Sequence, residues 1–384
     1  MKEGWTYKKI KDVGEVIGGT TPSTTNPEFW GGDICWISPA ELHGDHYLYD
    51  SVKKITPKAV SAKSLKELPV GTVILSSRAP IGKIAINKVP MYCNQGFKCV
   101  VCGPELYNEF LYWWFYGKVD YLNSLGTGAT FKEISKTVVE NIVVPIAPLE
   151  EQKRIVERLD AAFENIDKLK ANAEKQLAEA RTLFQKSLAK AMEPKEGWEE
   201  KALGDVCTLS QGLAINSHTK HLFIQNGSLP LLRIKDMKEG TREIFVDEAS
   251  CPQGCIASEE DIIYTRTGTL GLVFTGMHGV LHNNCFKIKH DINKLNKSFL
   301  IYFLRNDSFV KTIIGLASRA AQPDITHKLF KAQEIHFPPL SEQQRIVERL
   351  DTLSENIRKY EEIQRQITSE CDALKQALLR KVFE

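Results

Sequence analysis

The chain has 384 residues, of which 42% are apolar and 26% charged, and its formal net charge is +2. That length suits about two to three domains of ordinary globular composition, and so small a charge argues against a protein that coats nucleic acid by charge alone. No apolar run approaches the roughly 18 residues of a membrane-spanning helix, the longest being FLYWWFY at residues 110–116, and the opening MKEGWTYKKIKD lacks the apolar core of a secretory signal, so the expected location is cytoplasmic.

Residues 1–147 form a mixed block rich in Gly, Thr and aromatic residues. Strand-like runs fall at residues 34–37, 72–76, 83–86 and 98–101. Cys99 and Cys102 make a lone C-x-x-C inside FKCVVCG, which reads as a strand carrying buried thiols rather than half of a zinc site. His43/His46 and His218/His221 are H-x-x-H pairs in loop-like sequence, and they read as surface histidines. Glu41, Asp45 and Asp50 read as a solvated loop face. FLYWWFY reads as a core element before it reads as a platform for stacking bases. Nine scattered cysteines, an odd number without a framework, suit a reducing compartment.

Residues 148–193 lack Gly and Pro after Pro148 and read as one long helix. Its predicted seam alternates spacings of four and three through Ile155, Leu159, Ala162, Ile166, Leu169, Ala173, Gln176, Ala180 and Leu183. Pro194 stops that helix. A second mixed block spans 194–338, with strand-like runs at 231–234, 261–265, 271–275 and 285–289 and a second aromatic segment, FLIYFL. Residues 339–384 form a second helix, with a seam through Ile346, Leu350, Leu353, Ile357, Tyr360, Gln364, Ile367, Cys371 and Leu374. Ser341 with Gln344 fits a capping box at its start.

The chain repeats itself. PLEEQKRIVERLD begins at Pro148 and PLSEQQRIVERLD at Pro339, 191 residues later, with eleven of thirteen positions identical. KEGW begins at Lys2 and again at Lys195. The same offset carries one helical seam onto the other. The blocks align more weakly, SSRAPIGKIAI at 76–86 with YTRTGTLGLVFT at 264–275, and GTGATFKEIS at 126–135 with ASRAAQPDIT at 317–326. A helix of about 44 residues is roughly 66 Å long, more than the roughly 35–40 Å diameter of such a block, so each helix must protrude or bridge. Antiparallel pairing of the two is the simplest arrangement. The predicted class is therefore α+β, with two mixed domains separated by two long helices in an antiparallel coiled coil and an internal pseudo-twofold repeat.

No phosphate loop, dinucleotide-binding loop, adenine-methyltransferase tetrapeptide, nucleophile elbow or zinc-protease helix is present. That leaves little for an enzyme. It leaves open a coiled-coil scaffold displaying two protein-binding modules, which the near-neutral charge favours slightly.

The doubled PL-x-EQ-x-RIVERLD, NPEFWGGDICWISPAEL at 26–42, the paired segments around Arg78 and Arg266, and AQPDITHKLFKAQEIHFPPLSEQ together resemble the specificity subunit of type I restriction–modification systems, over essentially the whole chain. The resemblance implies two target-recognition domains, each reading half of a bipartite double-stranded DNA site. It implies paired helices that set their separation and hold two methyltransferase subunits, with motor–nuclease subunits joining them. It implies no catalytic role and no cofactor for this chain, S-adenosylmethionine being expected only in the methyltransferase partners. Two diverged readers on one chain suit an asymmetric site, since a symmetric dimer mirrors a palindrome.

Base readout needs Arg, Lys, Asn or Gln at groove edges, and phosphate contact needs Lys, Arg, Ser, Thr or backbone N–H. The matching turns of the two blocks offer Ser77, Arg78, Lys83, Thr127, Thr130 and Lys132 in the first, and Arg233, Lys235, Arg266, Thr267, Arg319 and Gln322 in the second. Arg78 and Arg266 are the paired choice, and each has the alternative role of locking the fold against a carboxylate.

Overall fold

A strand pair closes each globular block just before a long helix begins. Thr6–Lys9 runs antiparallel to Val143–Ile146, and Glu199–Ala202 runs antiparallel to Glu334–Phe337. The computed structural model describes residues 3–78, 80–128, 132–319 and 322–384. It divides into two units, Met1–Ala173 with Arg365–Glu384, and Glu174–Gln364.

In the first unit the main sheet has the order Gly14–Gly18, Phe97–Cys102, Val73–Ser76, Ile84–Asn87, Tyr47–Leu48. Only the last pairing is parallel. A smaller sheet joins Lys53–Ile55, Trp30–Ile37 and Tyr92–Cys93. All four residues of Val73–Ser76 and of Ile84–Asn87 are buried, which is why these strands read as unbroken apolar runs rather than alternating ones. The helix Asn108–Gly117 packs in the same core, with Phe110 through Phe115 all buried. FLYWWFY is thus core up to Phe115, with Tyr116 exposed, and each large side chain so buried contributes on the order of 1.5–3 kcal/mol.

The second unit repeats the main sheet as Cys207–Gln211, Cys285–His290, Ile262–Thr265, Val273–Phe274, without the parallel edge strand. FLIYFL lies in the helix Lys297–Leu304, where Phe299, Leu300, Tyr302 and Leu304 are buried. The run expected as a strand at 231–234 is cut short. Only Leu231–Leu232 pairs, and a helix Ile234–Glu239 follows, turned by Arg233 hydrogen-bonding the side chain of Asp236. The KEGW tryptophans do the same job twice: Trp5 meets Phe110 edge-on at 5.9 Å and Trp198 meets Phe299 at 6.2 Å.

The long helices run Leu149–Ala191 and Leu340–Phe383. Inside the first unit Lys170 pairs with Asp372 at 3.3 Å and Asp167 with Lys375, so the two segments are antiparallel. Inside the second unit Arg181 pairs with Glu361 at 2.7 Å, and residues 176–187 face residues 353–360 in the same sense. Val156, Leu159, Leu379 and Phe383 join the first core, and Val347, Leu350, Leu188 and Met192 join the second. Each core is thus closed by the start of one helix and the end of the other.

The seam is half of the expected one. Leu159, Ile166, Ala173, Leu350, Gln364 and Cys371 are buried on it, whereas Ile155, Ile346, Leu353 and Ile357 are half-buried flanks and Leu169 is 54% exposed. At alternate steps the inward residue lies one position later, at Val156 and Phe163 rather than Ile155 and Ala162, and at Val347 rather than Ile346. The physical reason is that each helix start packs on its own block as well as on the other helix, so the buried stripe is wider than an a/d line and turned towards the block. The first step of the correction, Val156 and Val347, recurs at the 191-residue offset, whereas Phe163 maps onto the half-buried Ser354. The capping box is also corrected: the second helix starts at Leu340, which puts Ser341 inside its first turn, and Pro339 O accepts from the N–H groups of Glu342 and Gln343.

The repeated phrase locks helix to block. Gln152 is fully buried, its amide nitrogen donating to Glu105 O and Ala147 O while its oxygen accepts from Tyr107 N. Gln343 is also fully buried, donating to Lys294 O and Pro338 O and accepting from Asn296 N. Asp160 accepts from the Trp113 indole at 2.8 Å, and Asp351 from the Tyr302 hydroxyl at 2.7 Å.

His46 is not the surface residue its loop setting predicts. It stacks between Tyr47 and Tyr112, and its Nε2 lies 2.8 Å from the buried Glu109 carboxylate. Asp45 and Asp50 are exposed as expected, Asp50 pairing with Lys54, while the half-buried Glu41 accepts from Ser38 and the Val52 N–H. Cys99 is buried and Cys102 half-buried on one strand; three residues apart, they point to opposite faces and cannot share a ligand.

Candidate nucleic-acid interface

Each unit builds the same strand–turn–loop frame. In the first, the Ser76 hydroxyl ends a strand by donating to Pro80 O and accepting from Lys83 N, both at 2.8 Å. In the second, Thr265 Oγ1 donates to Thr269 O at 2.6 Å and accepts from Leu272 N at 2.9 Å. The turn returns through Gly82 at φ +93° and Gly271 at φ +77°, left-handed backbone that a side chain would strain. A second segment then docks beside the strand end: Ile134 N donates to Ser77 O at 2.8 Å, and Ile325 N donates to Arg266 O at 3.0 Å. Ser135 and Thr326 immediately cap short helices, Lys136–Glu140 and His327–Lys331.

This frame brings Arg78 to Glu133 and Arg266 to Asp324. Arg78 Nε lies 3.0 Å from Glu133 Oε2, the two side chains being 46% and 36% exposed. Arg266 donates from Nε to Asp324 Oδ1 at 2.8 Å and from Nη2 to Asp324 Oδ2, a bidentate pair 21% and 26% exposed. Glu133 also meets the buried Lys98 ammonium at 3.3 Å. Burial pushes the Glu133 carboxyl up, but hydrogen bonds from Arg78 and Lys98 outweigh it and hold the group below its ordinary range.

The other candidates fall into three groups. Thr127, Lys132, Lys235, Arg319 and Gln322 are exposed, and Thr127 exchanges backbone hydrogen bonds with Glu133 beside Arg78. Lys83, Arg233 and Thr267 are half-buried and engaged: Lys83 donates to Leu42 O at 2.8 Å, Arg233 is gripped by Asp236 and Glu243, and Thr267 N lies 3.4 Å from Asn284 O. Ser77 is a correction. Its side chain is fully buried, its hydroxyl accepts from Lys98 Nζ, and it has no surface to offer a ligand. Thr130 lies outside the described residues.

Sequence reasoning passed over Glu133 and Asp324. The signal was present, since the alignment of GTGATFKEIS with ASRAAQPDIT sets one acid over the other, two residues before each helix cap. The arrangement offers donors and acceptors at a surface turn. Among the described residues no group of side chains is arranged to hold a metal ion, and no helix is long and apolar enough to cross a membrane.

The family model for the type I restriction modification DNA specificity domain matches residues 2–179 and again 195–369. The chain is 34% identical to the type I restriction enzyme MjaIX specificity subunit of Methanocaldococcus jannaschii, over 70% of this chain and 67% of that protein. It is 26% identical to the EcoKI specificity subunit of Escherichia coli K12, over 100% of this chain and 89% of that one. Its fold is similar to a chain from work on "complex assembly and conformational transition of the type I R-M system" (TM-score 0.80, 22% identity, 100% and 98% coverage) and to the HsdS subunit of Thermoanaerobacter tengcongensis (TM-score 0.59, 21% identity, 100% and 97% coverage). With its matched sequence, doubled domain and repeated surface turns, the chain belongs to the type I restriction–modification DNA specificity subunits, which recognise DNA sequence and are not themselves catalytic.

Proposed function

We propose that residues 1–147 and 194–338 each read one half of a bipartite, asymmetric DNA site, while helices 148–193 and 339–384 set the spacing and hold two adenine methyltransferase subunits. Motor–nuclease subunits then complete a restriction complex in the cytoplasm. The observation carrying this reading is the repeated frame with unlike surfaces. Strand end, turn glycine, docked loop and helix cap recur in both units, while the exposed residues around them differ, Thr127 and Lys132 in one against Arg319 and Gln322 in the other. Equal frames with different side chains are what two different half-sites require.

The helices support two identical partners. The apolar side chains exposed on the helix segments include Leu169 and Leu374 in the first unit and Leu183 and Tyr360 in the second. The 191-residue offset carries Leu169 onto Tyr360 and Leu183 onto Leu374, so each unit presents one member from each helix. S-adenosylmethionine belongs to the methyltransferases. Co-expression with an adenine methyltransferase subunit, followed by genome-wide methylation mapping, tests the reading: one interrupted, non-palindromic motif is expected, and a palindromic motif or none contradicts it.

A further inference from the structure

Resting on that reading, we propose that Glu133 and Asp324 are specificity-determining residues: each carboxylate holds the neighbouring Arg oriented for a base edge and offsets its charge towards phosphates. The geometry is repeated. Glu133 and Asp324 stand 191 residues apart, each two residues before a helix cap and each against an Arg just past the end of the equivalent strand, Arg78 two residues beyond Ser76 and Arg266 one residue beyond Thr265.

The pairing divides the guanidinium. Arg carries five N–H donors in a planar fork. Asp324 takes Nε and one hydrogen of Nη2, which leaves both hydrogens of Nη1 and the second of Nη2 on the opposite edge. That free edge has the spacing for two acceptors side by side, as on the major-groove edge of guanine. An unpaired Arg on a swinging side chain would serve any phosphate equally, which adds affinity without sequence information. A paired Arg has lost most of that attraction, and its orientation is set before DNA arrives.

The two pairs are not equivalent. Asp324 balances Arg266 alone, so that pair is neutral. Glu133 is shared between Arg78 and the buried Lys98, so that trio keeps one positive charge. In the second unit Phe286 holds the ladder position of Lys98, and Lys287, one residue on and so on the other face of the strand, donates to Ile256 O and lies 3.8 Å from Asp261. The second turn therefore has more to lose when its carboxylate is neutralised. Asp324→Asn keeps the shape and one acceptor for Arg266, removes the charge and replaces the second acceptor with a donor.

The test uses the full chain co-purified with its methyltransferase subunits. Two 30-bp duplexes serve as probes, one carrying the motif found by methylation mapping and one of random sequence. D324N is expected to bind the random duplex more tightly, to steepen the salt dependence of that binding by about 0.9 in log–log slope for one added phosphate contact, and to lower discrimination about tenfold at one base position of one half-site. E133Q is expected to relax the other half-site, so loss of folding in one variant leaves the other to decide. A merely structural role predicts a lower Tm and weaker binding to both duplexes alike, and that result, or no change in discrimination for either folded variant, overturns the inference. If the wild-type complex fails to prefer its motif over random DNA, the two-reader reading falls first and this inference with it.

Discussion

Gln152 and Gln343 show how one residue can justify a repeated phrase. Each fills three backbone hydrogen bonds in a site without water-accessible surface, so truncation strands a carbonyl pair and an N–H together. Gln343→Ala should destabilise the second unit by about 2–4 kcal/mol, since each stranded buried group costs on the order of 1–3 kcal/mol, and a fall in thermal midpoint of several degrees would report it. An unchanged midpoint would mean that the lock carries no energy. Asp236 supplies a pH test. It is buried, and although burial pushes its carboxyl up, Arg233 and Thr241 hold it below the usual range. A lowered folded pKa stabilises above the unfolded value, near 3.9, and that contribution is lost as pH falls through the folded value. The wild-type chain should therefore lose stability on acidification below about pH 4, and D236N should show a flatter profile there while being less stable at neutral pH.

At the scale of the element, much was legible and the errors share a cause. The two helices, their bounds to within a residue or two, and most strands follow from periodicity and from the absence of Gly and Pro. The seam was misplaced at every second step because a heptad pattern read from one chain cannot separate the face packed on a helix from the face packed on a block. Ser77 and His46 failed for the same reason: a polar residue in a turn reads as exposed until the packing partner is known. The two seam readings agree at Leu159 and part at Leu169, which only the expected seam turns inward. Leu159→Ala should cost about 2–4 kcal/mol, as a buried Leu truncation does, and Leu169→Ala within about 0.5 kcal/mol. Leu169→Glu together with Tyr360→Glu should leave Tm in place and reduce co-purification of methyltransferase subunits. Retained co-purification would remove the exposed apolar pairs from the proposed docking surface.

At the scale of the whole molecule, the division between what was copied and what diverged assigns the work. The helices kept residues that grip their own blocks, Gln152 with Gln343 and Asp160 with Asp351, so their identity reflects folding as well as partnership. The blocks kept a frame and changed its surface. Under the proposed reading, half-site identity lives in the blocks and half-site spacing in the helices. Both are separable by inserting one heptad in each helix, after Ala173 and after Gln364, which are equivalent positions in the repeat. Seven residues add about 10.5 Å of helix and preserve the seam, against roughly 3.4 Å per base pair of DNA. Methylation mapping of this variant beside the wild type is the decisive measurement. The expected map has both half-sites unchanged and a spacer longer by about three base pairs; an unchanged spacer, or altered half-sites, would contradict the separation of reading from spacing.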